Sequence, residues 1–205
     1  MRENALHGAI GRDLAAWFHE RNAVLPPGSL TAHHIDSHDT FWWPLPGTKW
    51  RREQYGLAAT RALLAVFALS GGAFMTFVGG EDGLEEEIQR ANGLRATRPE
   101  IARGGTDYTA VAIDQDAIYG VMRRLEEACS VVLVNLSGDT HEVSCALRIA
   151  DLSPGATTYE VYDLWNEQAL QVDGRYDLPA STLSLLPLTF GAFQVRVLSV
   201  RPNAR

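Results

Sequence analysis

Residues 33 to 43 read HHIDSHDTFWW and bring three histidines, two aspartates and two tryptophans close together in an otherwise ordinary acidic chain. Imidazole and carboxylate groups in this density can hold a divalent metal ion, move a proton, or stabilise a positive charge that develops during a reaction. Flat aromatic rings can in addition cover the apolar face of a sugar. The stretch is therefore the first candidate for a functional site.

A metal site requires ligands that converge on one ion. If the stretch is a β-strand, His34, Asp36 and His38 share one face and could hold a divalent cation. Ligands two residues apart on one strand are separated by about 7 Å, however, and converge poorly on an ion held at about 2.1 Å. No second cluster of Cys or His in the sequence completes such a shell. We therefore predict no metal and no cofactor.

Two other interpretations remain open. In the first, the polar side chains cap the end of a buried parallel strand and form hydrogen bonds to loops. In the second, they are catalytic, because the chemistry of parallel strand-helix folds lies just beyond the carboxyl ends of the strands. His38 and Asp39 are adjacent and can face one site only if the strand stops and the chain turns, which the following TFWWPLPG favours.

Composition excludes several partners. The chain has 205 residues and a net charge of −7, and it lacks the clustered basic surface that nucleic acids and anionic membranes require. It has no run of 18 apolar residues that could span a bilayer. The two cysteines, Cys129 and Cys145, and the absence of a secretory pattern in MRENALHGAIGRDL indicate a cytoplasmic protein.

The first half of the chain alternates helical and strand patterns. Apolar residues recur at helical spacing in ALHGAIGRDLAAWFHERNAV, in the long segment WRREQYGLAATRALLAVFALSG and in LEEEIQRANGLRATRPEI. Short strands, LTAHHID and the apolar AFMTFVGG, lie between them. Such alternation is typical of a parallel sheet built from strand-helix units.

After RGGTDY the pattern changes to short strands separated by turn residues, which predicts an eight-stranded antiparallel β-sandwich with a core of its own. The boundary falls near Gly104 and Gly105. A GDT turn should pair CSVVLVNLS with HEVSCALRI as a hairpin. In that register Cys145 faces residue 132, so Cys129 is too far away for a disulfide and both thiols should be free.

Several of these segments resemble motifs of a known family. HIDSHDT resembles the conserved region at the end of barrel strand seven in the α-amylase family of glycoside hydrolases, and GGAFMTFVGGEDG resembles the pattern of strand eight. GLRATRPEIARG is similar to the last barrel helix. IYGVMR, VVLVNLS and LPLTFGAFQVRVL are similar to strands of the family's C-terminal β-sandwich. The motifs follow the family's order along nearly the whole chain.

The resemblance implies roles for individual residues. Asp39 would be the carboxylate that stabilises the transition state, and His38 would donate a hydrogen bond to the sugar in the cleaved subsite. Such a carboxylate suits glycosidic cleavage, which develops positive charge on the ring. The family usually has Asn where this chain has Ser37. Trp42 and Trp43 are candidates for stacking on an α-glucan or oligosaccharide, although loop tryptophans also pack against the scaffold.

The resemblance also implies that parts of the enzyme lie outside this chain. The family's nucleophile and proton donor lie at the ends of strands four and five. In the family's order these strands come before the region that this chain resembles. A full (β/α)8 barrel takes about 250 residues, whereas the sandwich begins here after about 104. We therefore expect an α/β part followed by an all-β part: residues 1–104 form the last two strand-helix units of a TIM barrel, and residues 105–205 form the antiparallel sandwich.

The expected function is that of a C-terminal segment of an α-amylase-family hydrolase or transglycosylase, inactive alone. It would associate with the missing N-terminal barrel half or with itself. An autonomous catalytic pair of Asp39 and Glu81 is not favoured, because the resemblance gives Glu81 no catalytic role. The alternative function is a non-catalytic carbohydrate-binding or interaction module whose helical arm docks a partner.

Overall fold

The computed structural model describes residues 10–39, 50–149 and 156–203, with helices mainly in the first half and strands mainly in the second. The helices are α1 (Ile10–Val24), α2 (Arg51–Tyr55), α3 (Leu57–Leu69), α4 (Glu85–Thr97), α5 (Pro99–Arg103) and α6 (Ala180–Leu183). No helix in these ranges is long and apolar enough to cross a membrane.

The strands form one parallel pair and two antiparallel sheets. They are β1 (Ala32–His33), β2 (Ala73–Phe74), β3 (Gly105–Asp107), β4 (Val111–Ile113), β5 (Ile118–Leu125), β6 (Ala128–Asn135), β7 (His141–Leu147), β8 (Thr158–Asp163), β9 (Gln168–Ala169), β10 (Asp177–Pro179), β11 (Leu186–Phe190) and β12 (Val195–Pro202). The fold is thus mixed α/β with antiparallel sheets.

The helix predicted from the spacing of apolar residues in the first segment is confirmed as α1. Phe18 is fully buried, and Ile10 and Leu14 pack against the same core. At Gly11 the helix backbone lies directly on β5, where an added Cβ would come within 2.6 Å of the carbonyl oxygen of Ala117. The absence of a side chain at this position allows the helix to approach the sheet.

The predicted long helix is two helices. Gly56 separates α2 from α3 with a φ of +82°, in the left-handed region that glycine adopts without steric cost. Helix α3 is apolar nearly all round, which is typical of a helix in the interior of a protein. It contacts both α4 and β6.

Strands β1 and β2 pair in parallel, with Ala32 opposite Ala73 and His33 opposite Phe74. Both are much shorter than LTAHHID and AFMTFVGG predict, and β2 is only half-buried. The chain leaves β2 for a turn in which the Gly80 N–H donates to the carbonyl of Phe77 at 2.6 Å, with Gly79 at a φ of +83°. The parallel pair therefore ends before the turn at residues 77–80 begins.

The larger sheet has seven antiparallel strands in the order β10-β8-β12-β6-β5-β3, with β9 on β8, and the smaller has the order β11-β7-β4. The predicted hairpin of β6 with β7 is wrong, because these strands belong to different sheets. Asn135 at the end of β6 holds the crossing segment: its Nδ2 donates to the carbonyls of Asp139 at 2.7 Å and Gly191 at 2.8 Å.

Both cysteines are free, as predicted, and both are buried. The predicted hairpin is not the reason that they form no disulfide. Cys129 lies on β6 and Cys145 on β7, in the two different sheets. Burial raises the pKa of each thiol to about 12. Both groups are therefore protonated and unreactive at neutral pH.

Two clusters of buried apolar side chains hold these layers together. The first joins the helices to one face of the seven-stranded sheet, through residues that include Phe18, Leu64, Ile101, Tyr119, Val121, Val132, Val134 and Val197. The second lies between the two antiparallel sheets and includes Met122, Val131, Leu133, Cys145, Leu188, Phe190, Leu198 and Val200. Alternate residues of β5, β6 and β12 thus face opposite cores, so the seven-stranded sheet is covered on both sides.

Candidate functional site

The candidate site lies where β1 and β2 end. Because the two strands are parallel, the segments that follow them, residues 34–39 and 75–83, leave the pair at the same edge. The Met75 N–H donates to the carbonyl of His33 at 2.8 Å and joins the two strands at the point where they part. In parallel strand-helix folds, the loops at the carboxyl ends of the strands are where the chemistry lies.

His38 and Asp39 lie at this edge and form a pair. The strand has ended, and the backbone is helical at both residues, so the turn that adjacent groups need to face one site is present. His38 Nε2 lies 3.1 Å from Asp39 Oδ1, and the side chains are 75% and 77% exposed. An exposed carboxylate next to an imidazole can accept hydrogen bonds from a ligand or face a developing cation. Trp42 and Trp43 lie outside the described residues.

Asp36 lies in a different environment from Asp39. It is only 4% exposed, and its Oδ1 accepts a hydrogen bond from the backbone N–H of Arg51 at 3.1 Å. Its Oδ2 is buried and has no partner among the described residues. Burial raises the pKa of Asp36, although the hydrogen bond from Arg51 acts in the opposite direction. Asp36 therefore joins the loop after β1 to the start of α2.

Arg52 fixes the loop after β2 from the same helix. Its Nη1 donates to the carbonyl of Gly79 at 2.9 Å, and its Nη2 donates to Asp82 at 3.2 Å. The guanidinium also lies over the Trp50 ring, 4.6 Å from its centroid. Helix α2 thus holds both loops of the site. No pattern around Arg52 in the sequence indicates this role, since only the folded chain brings it to Gly79.

Glu81 lies in the turn that leads into α4, where its carbonyl accepts the N–H of Leu84 at 2.8 Å. Its side chain is half-buried, and Oε2 has no partner among the described residues. Asp39 contacts His38, as described above. The backbone carbonyl of Glu81 thus takes part in the turn, and a loop-ordering role of its side chain stays a prediction.

The metal interpretation requires His34, Asp36 and His38 to share one face of a strand. These residues lie beyond the end of β1 at His33. His33 is buried, stacked on Phe67 at 6.0 Å between centroids and facing the edge of Phe18 at 5.2 Å. His34 is half-buried and lines a cavity of about 340 Å³ together with Ile10 and Tyr55. Within the described ranges no three His, Cys, Asp or Glu side chains are grouped closely enough to hold a metal ion.

Sequence comparison identifies no relative. No protein-family model matches the chain, and no curated protein matches it either.

Solved structures of α-amylase-family enzymes share this fold at low sequence identity. An α-amylase from Geobacillus thermoleovorans, complexed with acarbose, matches 94% of this chain with a TM-score of 0.68 and 13% identity. A maltogenic α-amylase from Thermotoga neapolitana also matches 94%, with a TM-score of 0.67 and 10% identity. A debranching enzyme from Nostoc punctiforme matches 92%, with a TM-score of 0.59 and 15% identity.

The matched region is only part of each of these enzymes. It spans 44%, 46% and 38% of the three chains, respectively, so this chain covers less than half of the length of the structures it resembles. The chain therefore has the fold of a segment of α-amylase-family structures.

Proposed function

We propose that this chain is the C-terminal segment of an α-amylase-family enzyme that cleaves or transfers α-glucosidic bonds in α-glucans or related sugars. One observation carries the proposal: an exposed carboxylate, Asp39, lies beside His38 at the carboxyl end of β1, in a chain that has the fold of part of such enzymes. The motifs that resemble the family occur in the family's order around this position.

The proposal divides the chain near Gly104. Residues 1–104 would be the last two strand-helix units of a (β/α)8 barrel, and residues 105–205 the C-terminal β-sandwich. The parallel pairing of β1 with β2, with α3 between them in sequence, supports the first part. The two antiparallel sheets with a shared buried cluster support the second.

In the proposed mechanism, Asp39 faces the sugar ring at the bond that is cleaved. Positive charge develops on this ring in the transition state, and a fixed carboxylate stabilises that charge more than it stabilises the neutral substrate. His38 donates a hydrogen bond to a hydroxyl of the same sugar, while Trp42 and Trp43 cover the flat faces of neighbouring sugars. The nucleophile and the proton donor come from the N-terminal half of the barrel.

The N-terminal half would join the chain at its parallel pair. Among the described residues, β1 pairs only with β2, and β2 pairs only with β1. Two strands cannot close a barrel, so their outer edges keep unpaired backbone groups. In the complete enzyme these edges would receive the neighbouring barrel strands, and without them the chain would associate with itself.

The test is the Asp39→Asn substitution in the full-length enzyme that contains this chain. We expect kcat on a soluble α-glucan to fall by about 10³-fold or more, because a charge aimed at the transition state is lost while the shape is kept. Asp116→Asn is the matched control: Asp116 is also an exposed carboxylate, paired with Arg12 at 2.6 Å, and its loss should leave kcat unchanged. Circular dichroism should show that both variants are folded.

Near wild-type turnover in Asp39→Asn would contradict the role of Asp39. A protein that binds polysaccharide in a pull-down but releases no sugar, even with its complete barrel, would contradict the enzyme proposal and favour a carbohydrate-binding module.

A further inference from the structure

A second cavity lies at the opposite ends of β1 and β2 from His38 and Asp39. We call it the arginine pocket; its volume is about 500 Å³. Thr31, which precedes β1, and Gly72, which precedes β2, both line it. Its other walls are the loop of residues 25–30, residues 102–106, and Arg123 of β5. The pocket is therefore separate from the candidate active site.

The lining of the pocket has an uncompensated positive charge. Arg21, Arg103 and Arg123 contribute to its wall, and none of the described residues that line it is an Asp or a Glu. Within the described part of the chain, none of these arginines forms an ion pair with a carboxylate. Three cations facing one concave space create a potential that attracts an anion.

Arg21 has only neutral partners among the described residues. Its Nη2 donates to Asn22 Oδ1 at 3.0 Å. The guanidinium lies over the rings of Trp17 and Phe18, at 5.0 and 4.9 Å from their centroids. These contacts hold the group in place beside the pocket without neutralising it.

Arg123 is the most unusual member because it is only 1% exposed. Its Nη2 donates to the carbonyl of Ile101 at 2.9 Å, but its Nε–H has no acceptor among the described residues. Glu100, also buried, directs its Oε1 to the Ser130 hydroxyl at 2.7 Å and forms no ion pair with Arg123. Burial lowers the pKa of Arg123, and the nearby charge of Glu100 opposes this only in part, so a bound counter-anion would stabilise the charged guanidinium.

The backbone around Arg123 is shaped to fit the guanidinium. Gly71 has a φ of +91°, and a Cβ at this position would collide with Nη1 of Arg123. Thr31 and Thr106 also line the pocket and each carries a hydroxyl group, whereas the hydroxyl of Ser70 is bonded to the Val66 carbonyl and the Tyr119 hydroxyl. Guanidinium groups with hydroxyl donors suit the tetrahedral oxygens of a phosphate group, which arginine can bind through two parallel hydrogen bonds.

We propose that the arginine pocket binds a phosphate group, either inorganic phosphate or the phosphate of a small phosphorylated molecule. Its volume is within the range of small-molecule sites. The bound phosphate would contact the loop before β1, the turn after α3 and the segment that leads into β3. It would thereby join the helical part of the chain to the seven-stranded sheet. This site does not depend on the proposed glycosidase function.

The test is calorimetric titration of the 205-residue chain at constant ionic strength. The probes are inorganic phosphate, glucose 1-phosphate and, as a neutral control, glucose. We expect saturable binding of phosphate or its ester at one site and no binding of glucose. The amide signals of Gly71, Gly104 and Thr106 should shift in NMR spectra during the same titration, because these residues line the pocket.

Arg103→Gln is the decisive variant, because Arg103 is exposed and its replacement should leave the fold intact. We expect it to weaken phosphate binding by about tenfold, the loss typical of one charged hydrogen-bond donor. Arg175→Gln removes an exposed arginine that does not line the pocket and should leave the affinity unchanged.

Tighter binding of the ester than of free phosphate would identify a phosphorylated small molecule as the ligand, and equal or weaker binding would identify inorganic phosphate. Absence of saturable binding at millimolar concentration would overturn the proposal. So would an unchanged affinity in Arg103→Gln, or signal shifts confined to residues outside the pocket.

Discussion

Asp36 and Asp39 are three positions apart in the sequence, yet their environments are opposite. Asp36 is buried and accepts the Arg51 N–H, whereas Asp39 is exposed beside His38. A buried carboxylate that accepts a backbone hydrogen bond fixes a loop, and an exposed one is free to meet a ligand. Of the two open interpretations of this stretch, the polar strand cap thus describes Asp36, and the catalytic strand end stays a proposal for Asp39.

His33 should make the protein sensitive to acid. Burial, and then the positive charges of Arg21, Arg95 and His34, lower its pKa from 6.5 to about 4. The unfolded chain therefore binds a proton more readily than the folded one. The contribution of neutral His33 to the free energy of unfolding is fully present above pH 6.5 and is lost as the pH falls towards 4. The loss amounts to about 3 kcal/mol at most.

The His33→Phe substitution tests this, because a phenyl ring fits the stack on Phe67 but cannot be protonated. We expect its free energy of unfolding, from urea titrations between pH 7 and about pH 4, to fall less than that of the wild-type protein. His19→Gln, at an exposed position, should keep the wild-type pH dependence. Equal slopes for His33→Phe and wild type would show that His33 does not control acid stability.

At the scale of elements, the short parallel pair explains how the site is built. Because β1 and β2 end after two residues, the segments that follow them are long and need support from outside the pair. Helix α2 provides it, through the Arg51 N–H on one loop and the Arg52 guanidinium on the other. The break at Gly56 allows α2 to take this position independently of α3.

The contact of α1 with β5 should tolerate no side chain at Gly11. A Cβ there would lie 2.6 Å from both the Ala117 oxygen and the Tyr119 nitrogen, which are backbone atoms that cannot rotate away. We expect Gly11→Ala to lower the free energy of unfolding by about 2 kcal/mol or more, as overpacking does.

Gly93→Ala is the matched control. Gly93 lies inside α4, and nothing is within 4 Å of an added Cβ. This variant should gain about 0.5 to 1 kcal/mol, since alanine favours the helix. Chemical denaturation measures both changes, and a neutral Gly11→Ala would show that α1 is not held tightly against the sheet.

At the scale of the whole molecule, the seven-stranded sheet links the two parts of the chain. The predicted core between the antiparallel sheets exists as the second buried cluster. The opposite face of the larger sheet, however, is covered by the helices of the first half. The boundary near Gly104 remains a prediction, but the β-rich part buries one of its faces only when the helices are present.

A fragment of residues 105–205 should therefore associate with itself. It would expose a row of apolar side chains, among them Val121, Val132, Val134 and Val197, and a continuous apolar surface of this kind drives association. Light scattering after size exclusion should show oligomers, and an apolar dye should bind more strongly than it does to the whole chain.

The fragment with Val121→Thr and Val132→Thr is the control, since a more polar face should shift it towards a monomer. A monomeric unsubstituted fragment that unfolds at the same temperature as the whole chain would mean that the helices contribute nothing to the sheet.

Local patterns were sufficient for much of this protein. Helical spacing of apolar residues predicted α1, and short strand-like runs between turn residues predicted β5, β6 and β12, because each of these patterns lies within one element. HIDSHDT likewise marks His38 and Asp39 as candidates through its resemblance to the family motif, and their catalytic roles stay a prediction.

Only the tertiary structure decided which segments meet. It placed β6 and β7 in different sheets, buried His33 between Phe67 and Phe18, and brought Arg123 into one pocket with Arg21. Residues far apart in sequence create each of these features. The local sequence around a residue does not determine such contacts, because the partner depends on the packing free energy of the whole fold.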